Sequence, residues 1–375
     1  MASQNTGLAA DVGAEPSALE TLVRELFERL GSQPDEAGEI AARLVAANLT
    51  GHDSHGVVQA PRYARALHAG ELAANVDPEV LADGGAWVHL DARLGFGQHA
   101  GAVAMRTGIE RARKHGVALV ALRRSGHLGR IGDWPEMAAE AGLASLHFVN
   151  VTGCVWVAPE GGLAPRLSTN PVAAGVPRAN GEHVILDIAT SVAAEGKMQV
   201  AAQRGEAMPE PAAVDADGRE TADPLTIYGE RLRDSPALAP DAPGAMLAFG
   251  GHKGSGLALI SELLGGALTG TGCSRAEPDA ASNGMLSLLI DPDRFSGDFD
   301  VAGEIERYIA FFTSSAPRTA GGEVLIPGEP ERRTRRARLT DGIPLPDATW
   351  TALQDTARAA GVAEATIAAA RRTGA

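Results

Sequence analysis

The chain has 375 residues, 45% of them hydrophobic and 21% charged, an ordinary balance for a globular protein long enough for two or three packed lobes. With 33 Lys and Arg against 47 Asp and Glu, the net charge of −14 argues against a nucleic-acid or anionic-membrane partner. Two cysteines, Cys154 and Cys273, supply neither a disulfide framework nor a zinc spacing, no apolar run nears the ~20 residues of a membrane span, and the N-terminus lacks a signal-peptide pattern, so a cytoplasmic protein is expected.

Residues 1–15 are polar and Gly- and Ala-rich, which predicts a flexible N-terminus. Apolar residues recur at helical spacing from Pro16 to Leu30, ending at Gly31. A second helix is expected to open at Ser32-Gln33-Pro34-Asp35-Glu36, with Ser32 as its cap, and to run through Asn48. Residues 57–70 read as a third helix, closed by Gly70. From Trp87 the pattern changes. Trp87–Leu90, Val117–Leu122, Ala144–Val151 and His183–Leu186 read as strands, with helices over Gly101–His115 and Pro135–Ala141, and this alternation predicts an α/β fold class. Residues 205–245 are rich in Pro, Ala and Asp and are expected to be mostly loop. Gly254–Leu268 reads as a helix with a small-residue face, Met285–Ile290 as a strand, and Pro346–Arg372 as helix.

Residues 95–101, Gly-Phe-Gly-Gln-His-Ala-Gly, lie between a strand and a helix, but the spacing is GxGxxxG and no acidic residue ends a strand about 20 residues on. A tight turn is the better reading, and a Rossmann fold is not expected. More informative are three loops that set histidine between glycines: Gly51-His52-Asp53-Ser54-His55-Gly56, Gly126-His127-Leu128-Gly129-Arg130 and Gly250-Gly251-His252-Lys253-Gly254. Histidine can move a proton near neutral pH, and glycine permits close approach of a ligand. If His55 faces a pocket it can serve as general acid, with Ser54 donating to a substrate oxygen; the plainer reading is a turn in which Asp53 or Ser54 caps the next helix. Arg123, Arg124 and Arg130 crowd the His127 loop and suggest anion recognition. Asp187-Ile188-Ala189-Thr190-Ser191 reads as a strand end leading into a helix that Thr190 and Ser191 cap, and Lys253 stands at another helix start. No His or carboxylate spacing suits a metal.

GHDSHG (51–56), SGHLGRIG (125–132), STNP (168–171), LDIATS (186–191), ADGRETADP (216–224), GGHKGSGLAL (250–259) and IPGE (326–329) occur in an order and spacing that closely resembles the malate/L-lactate dehydrogenase family of non-Rossmann oxidoreductases, from about residue 17 to 370. That family includes sulfolactate, ureidoglycolate and diketogulonate enzymes and the piperideine/pyrroline-2-carboxylate reductases. The resemblance implies hydride transfer between NAD or NADP and C2 of a small 2-hydroxy or 2-imino acid, in a homodimer. It also implies a helical domain from both chain ends (16–85 with 315–375) beside an α/β body (86–314) that binds cofactor and substrate. By position, His55 and His127 match histidines assigned as proton donor or acceptor. Ser54 matches a hydroxyl residue beside the substrate, and Asn150, Asp187, Ala189, Thr190, Ser191, Lys253, Pro327, Gly328 and Glu329 match cofactor-side positions.

Four residues after His55, many members carry an arginine that pairs with the substrate carboxylate; here it is Gln59. A glutamine supplies no bidentate ionic contact, so Arg62 or Arg130 takes over or the substrate is not a simple carboxylate. Glu210-Pro211 stands for the family's Gly-Trp, Ser255 for the aromatic of HKGYG, and STNP for GTNP. Alternatives are a reductase of cyclic imino acids and, from another class, a catalytically inactive binding homologue, against which His55, His127 and Lys253 count. The run Arg332, Arg333, Arg335, Arg336 and Arg338 is either a 2′-phosphate site or a solvated face.

Overall fold

A computed structural model describes residues 11–228, 244–275 and 281–372. They form two compact units: residues up to Asn75 together with those from Glu329 onward, and Val76–Gly328.

The first unit opens with β1 (Val12–Ala14), α1 (Pro16–Arg29), α2 (Pro34–Leu49) and α3 (Ala60–Ala69). α1 buries Leu19, Leu22, Val23, Leu26 and Phe27, the one-sided stripe that helical periodicity requires. Ser32 does not cap α2. The helix starts at Pro34 behind Gln33, and proline at a first helical position has no N–H to cap.

The second unit follows in the order β2 (Glu79–Asp83), β3 (Trp87–Asp91), α4 (Gly97–His115), β4 (Val117–Ser125), α5 (Asp133–Glu140), β5 (Ala144–Val151), β6 (Val172–Val176) and β7 (Val184–Ile188). It continues with α6 (Glu195–Arg204), β8 (Ala213–Val214), β9 (Glu220–Thr221), α7 (Leu225–Tyr228), β10 (Ala245–Met246) and α8 (His252–Ser261). A π-helix over Glu262–Leu268, β11 (Asn283–Ile290), α9 (Asp293–Ser296) and α10 (Val301–Thr313) complete it. Seven strands make one mixed sheet in the order β2-β3-β4-β11-β5-β6-β7. β3 and β4 run parallel, and the other pairings of this sheet are antiparallel. A doubly wound dinucleotide fold needs a parallel sheet, so the α/β, non-Rossmann expectation holds. β11 crosses the middle of the sheet, and α4 and α5 supply partners for its core, where Met105, Trp134, Leu90, Leu122 and Leu289 are buried together.

The chain then returns to the first unit with α11 (Glu329–Asp341), β12 (Ile343–Leu345), α12 (Asp347–Ala359) and α13 (Glu364–Ala370). Several expectations change. Residues 12–14 are not loose, because β1 pairs antiparallel with β12, while residues 1–10 of that segment lie outside the described residues. β2 hydrogen-bonds to β3 and so belongs with the sheet rather than with the helices of 16–85. Short elements interrupt the loop expected over 205–245, of which 229–243 lie outside the described residues. The helix expected over 346–372 is two, and the arginine run lies on α11. Among the described residues no helix is long and apolar enough to cross a membrane.

Candidate active site

In the first unit, GHDSHG follows α2 and forms two short 3-10 turns, Asp53–His55 and Val57–Gln59. The cap expected from Asp53 or Ser54 comes from Asn48. Its Nδ2 donates to Asp53 Oδ1 at 2.7 Å and its Oδ1 accepts the Val57 N–H at 2.8 Å. A Cβ on Gly56 would lie 2.1 Å from Asn48 Oδ1, so glycine is what lets the amide sit there. Arg338 of α11 donates to Asp53 through both terminal nitrogens, at 2.6 and 3.0 Å. His55 is half-buried, its backbone N–H donating to the His52 carbonyl at 2.9 Å. Gln59 turns its amide onto the same loop: Nε2 donates to the Ser54 carbonyl at 2.7 Å and Oε1 accepts from Arg62 Nη1 at 3.5 Å.

In the second unit, His127 sits half-buried between β4 and α5, as its strand and helix neighbours predicted. Leu128 N–H donates to Asn283 Oδ1 at 2.9 Å, and Gly126 N–H to the Gly95 carbonyl at 2.9 Å. A Cβ on Gly97 would fall 2.1 Å from the His127 carbonyl oxygen. The glycines of 95–101 therefore seat the His127 loop.

The arginines near this loop are committed to carboxylates and are not an open anion site. Arg130, expected to reach the substrate, is 2% exposed; it donates to Asp133 at 3.0 Å and to both oxygens of Glu136 at 2.9 and 2.7 Å. Burial alone would lower its pKa, but the hydrogen bond to Glu136 and the charges of Asp133, Glu136 and Asp187 leave it raised. Arg123 and Arg124 both close on Asp91. Burial pushes the Asp91 carboxyl up, yet hydrogen bonds from Arg124, the Arg93 backbone and Arg123 hold it below its usual value.

The motifs expected on the cofactor side meet beside β7. Asp187 Oδ2 accepts the Gly132 N–H at 2.8 Å, tying LDIATS to the His127 loop. Thr190 donates its N–H and its hydroxyl to the Thr169 carbonyl of STNP, each at 2.9 Å, and its own carbonyl accepts the Phe249 N–H at 3.0 Å. Phe249 leads directly into GGHKG, and Lys253 is exposed in the first turn of α8. The Ile185 N–H donates to the Pro327 carbonyl at 3.1 Å, which brings IPGE to the same strand. Gly328 is buried there with φ 90°, and Glu329 starts α11 in the first unit, paired with Arg333.

One expectation fails here. Thr190 and Ser191 do not cap a helix: α6 begins at Glu195 behind Ala194, and Ser191 Oγ donates to the Ala193 carbonyl at 2.6 Å. Asn150, expected on the cofactor side, is fully buried; Nδ2 donates to the Gly272 carbonyl at 2.8 Å and Oδ1 accepts the Gly284 N–H at 3.0 Å, so it pins β11 and the turn after the π-helix. Asn48, Asn283 and Arg338 were missed. Asn283 and Arg338 act on loops 155 and 285 residues away and Asn48 on a loop five to nine residues on, and no local pattern shows which partner each takes.

The donor set at α8 suits a phosphate-bearing nucleotide: a lysine beside the positive end of a helix, and open space where a Cβ on Gly250 would meet nothing within 4 Å. The sequence model for the malate/L-lactate dehydrogenase family matches residues 14–354, so this chain belongs to that family. It is 39% identical to hydroxycarboxylate dehydrogenase B of Escherichia coli K12 over 94% of this chain and 96% of the relative. A Δ1-pyrroline-2-carboxylate/Δ1-piperideine-2-carboxylate reductase of Pseudomonas syringae is 38% identical over 74% of this chain and 78% of its own length. The solved sulfolactate dehydrogenase of Methanocaldococcus jannaschii superposes with a TM-score of 0.81 at 30% identity, covering 93% of this chain and 98% of that one.

Proposed function

We propose that this protein transfers a hydride between NAD or NADP and C2 of a small 2-hydroxy/2-oxo acid or a close derivative. The observation that carries the reading is the lacing of SGHLGRIG, STNP, LDIATS, GGHKG and the Pro327 of IPGE by main-chain and side-chain hydrogen bonds within the second unit. When bound, the nicotinamide supplies or accepts the hydride. Lys253 and the first turn of α8 hold phosphate, and Asp187, Ala189, Thr190, Ser191, Pro327, Gly328 and Glu329 line the remainder of the nucleotide. His127 and His55 are the candidates for holding or releasing the proton of the substrate oxygen at an imidazole nitrogen. Ser54 donates a hydrogen bond to the substrate, and Gln59 offers an uncharged amide where a plain carboxylate would want an arginine. Reduction of a cyclic C=N bond is the second reading, supported by the likeness to the Pseudomonas reductase.

The experiment titrates NADH and NADPH while following nicotinamide fluorescence, then screens 2-oxo acids, cyclic imino acids and their amides or esters. Turnover of 2-oxo acids with either cofactor supports the first reading, and turnover of cyclic imines alone supports the second. No response to either cofactor overturns both.

A homodimer is part of the proposal. α10 buries no residue, yet Tyr308, Phe311 and Phe312 on it are 56%, 69% and 44% exposed, an apolar face that a second copy would cover. The reducing cytoplasm is proposed as its compartment, since two cysteines supply no disulfide framework, and the net charge of −14 argues against a nucleic-acid partner.

A further inference from the structure

The GHDSHG loop is held by a helix from the other end of the chain. Glu331, Thr334 and Arg338 lie on one face of α11, at the spacing that aligns side chains along a helix. Each meets the loop or its approach. Glu331 Oε1 is 3.5 Å from His52 Nε2, and Thr334 Cγ2 is 3.3 Å from where a Cβ on Gly51 would stand. Arg338 makes the strongest contact, donating to both Asp53 oxygens and, through Nη1, to the Asn48 carbonyl as well. Asn48 then carries the restraint across the loop, from Asp53 on one side of His55 to the Val57 N–H on the other. The backbone around His55 is thus bracketed two residues before and two residues after by one network, and Arg338 closes it.

We infer that Arg338 is a positioning residue for the reaction, fixing the direction of His55 through Asp53 and Asn48. The inference rests on the reading of His55 as a proton-transfer residue. A guanidinium is needed because only its planar fork meets both carboxylate oxygens at once, whereas a lysine is a point charge free to swing. The Asp53 side chain is 43% exposed, and ion pairs that open to water contribute little to folding. Loss of the pair therefore shows in turnover more than in melting, because displacing a catalytic group by about 1 Å can cost on the order of 100-fold in rate.

The test compares Arg338→Ala, Arg338→Lys, Asp53→Asn and His55→Ala, with Arg358→Ala on α12 as an unrelated ion-pair control. For each, kcat, the KM of both substrates and the melting temperature are measured. Arg338→Ala is expected to lower kcat on the order of 10- to 100-fold with the KM for the nicotinamide cofactor unchanged. Partial recovery is expected with millimolar guanidinium ion and in Arg338→Lys. Asp53→Asn breaks the same contact while keeping the side-chain shape, and it decides the matter if Arg338→Ala fails to fold. Wild-type kcat in Arg338→Ala or in Asp53→Asn, beside an impaired His55→Ala, overturns the positioning role alone. Wild-type kcat in His55→Ala overturns the reading on which it rests.

Discussion

Asp187 accepts the backbone N–H of Gly132 at 2.8 Å, across 55 residues of sequence. The contact joins the segment proposed to face the nucleotide to the loop that carries His127. Gly132 is buried, so its N–H must find an acceptor inside the protein, and a carboxylate gives the stronger, charge-assisted bond. Arg130, buried next to it, adds a positive charge to the acidic group of Asp133, Glu136 and Asp187. Arg130, one of the residues expected to hold substrate, is paired with Asp133 and Glu136 within this frame.

Replacing either histidine tests the catalytic assignment. His127→Ala and His55→Ala are each expected to lower kcat by about 10²–10⁴-fold with cofactor affinity nearly unchanged. Steady-state kinetics and cofactor titration of both variants check this; wild-type turnover in both would remove the assignment.

Gln59 is proposed to set the preference for charged acids. Its Nε2 is engaged with the Ser54 carbonyl and its Oε1 with Arg62 Nη1, and the amide itself brings no charge to a carboxylate. Gln59→Arg is expected to improve kcat/KM on pyruvate- or oxaloacetate-like acids, since a charge-assisted hydrogen bond is worth about 1.5–3 kcal/mol, and to impair the natural substrate. Unchanged relative kcat/KM for the two substrate types would mean that residue 59 does not face the substrate.

Gly97 lets the His127 loop close on the start of α4. An added methyl would stand 2.1 Å from the His127 carbonyl oxygen, so something must shift. Gly97→Ala is expected to destabilise by about 1–3 kcal/mol through overpacking, and to lower turnover as the loop moves. Urea unfolding measures the first effect and kcat the second; a variant as stable and as active as wild type would refute the packing role.

His147 predicts an acid limb to the stability curve. It is fully buried in β5, between the hydroxyls of Ser287 at 2.8 Å and Ser145 at 3.0 Å, and burial pushes its pKa from 6.5 down to about 3. A depressed folded-state pKa means that the unfolded chain binds a proton the native one refuses. Its stability is therefore fully present above pH 6.5 and is lost as pH falls from there towards 3, at a slope approaching about 1.4 kcal/mol per pH unit. Denaturant unfolding between pH 7 and 4 is expected to show a shallower slope in His147→Gln than in wild type; equal slopes would show that the histidine titrates normally.

Local pattern alone determined the long elements. Ala144–Val151 reads as an apolar strand and is β5, and the stripe from Pro16 marks α1, because these segments bury a face that the period of side chains already displays. The glycine-flanked histidines and the order of the motifs identified the family, since short chemical signatures survive in sequence whatever surrounds them. Only the tertiary structure decided what pairs with what. β1 and β12 are three residues each and exist through one another, and β11 enters the centre of a sheet whose neighbouring strands were made more than 100 residues earlier. The arginine run of 332–338 is polar all round and looks like a solvated face, yet one of its members clamps Asp53. Asn150, Arg130 and Thr190 carry groups that could meet a ligand or the protein itself, and composition cannot say which. Folding gave each a hydrogen-bond partner within the protein, because a buried donor or acceptor must be satisfied by whatever the fold places beside it.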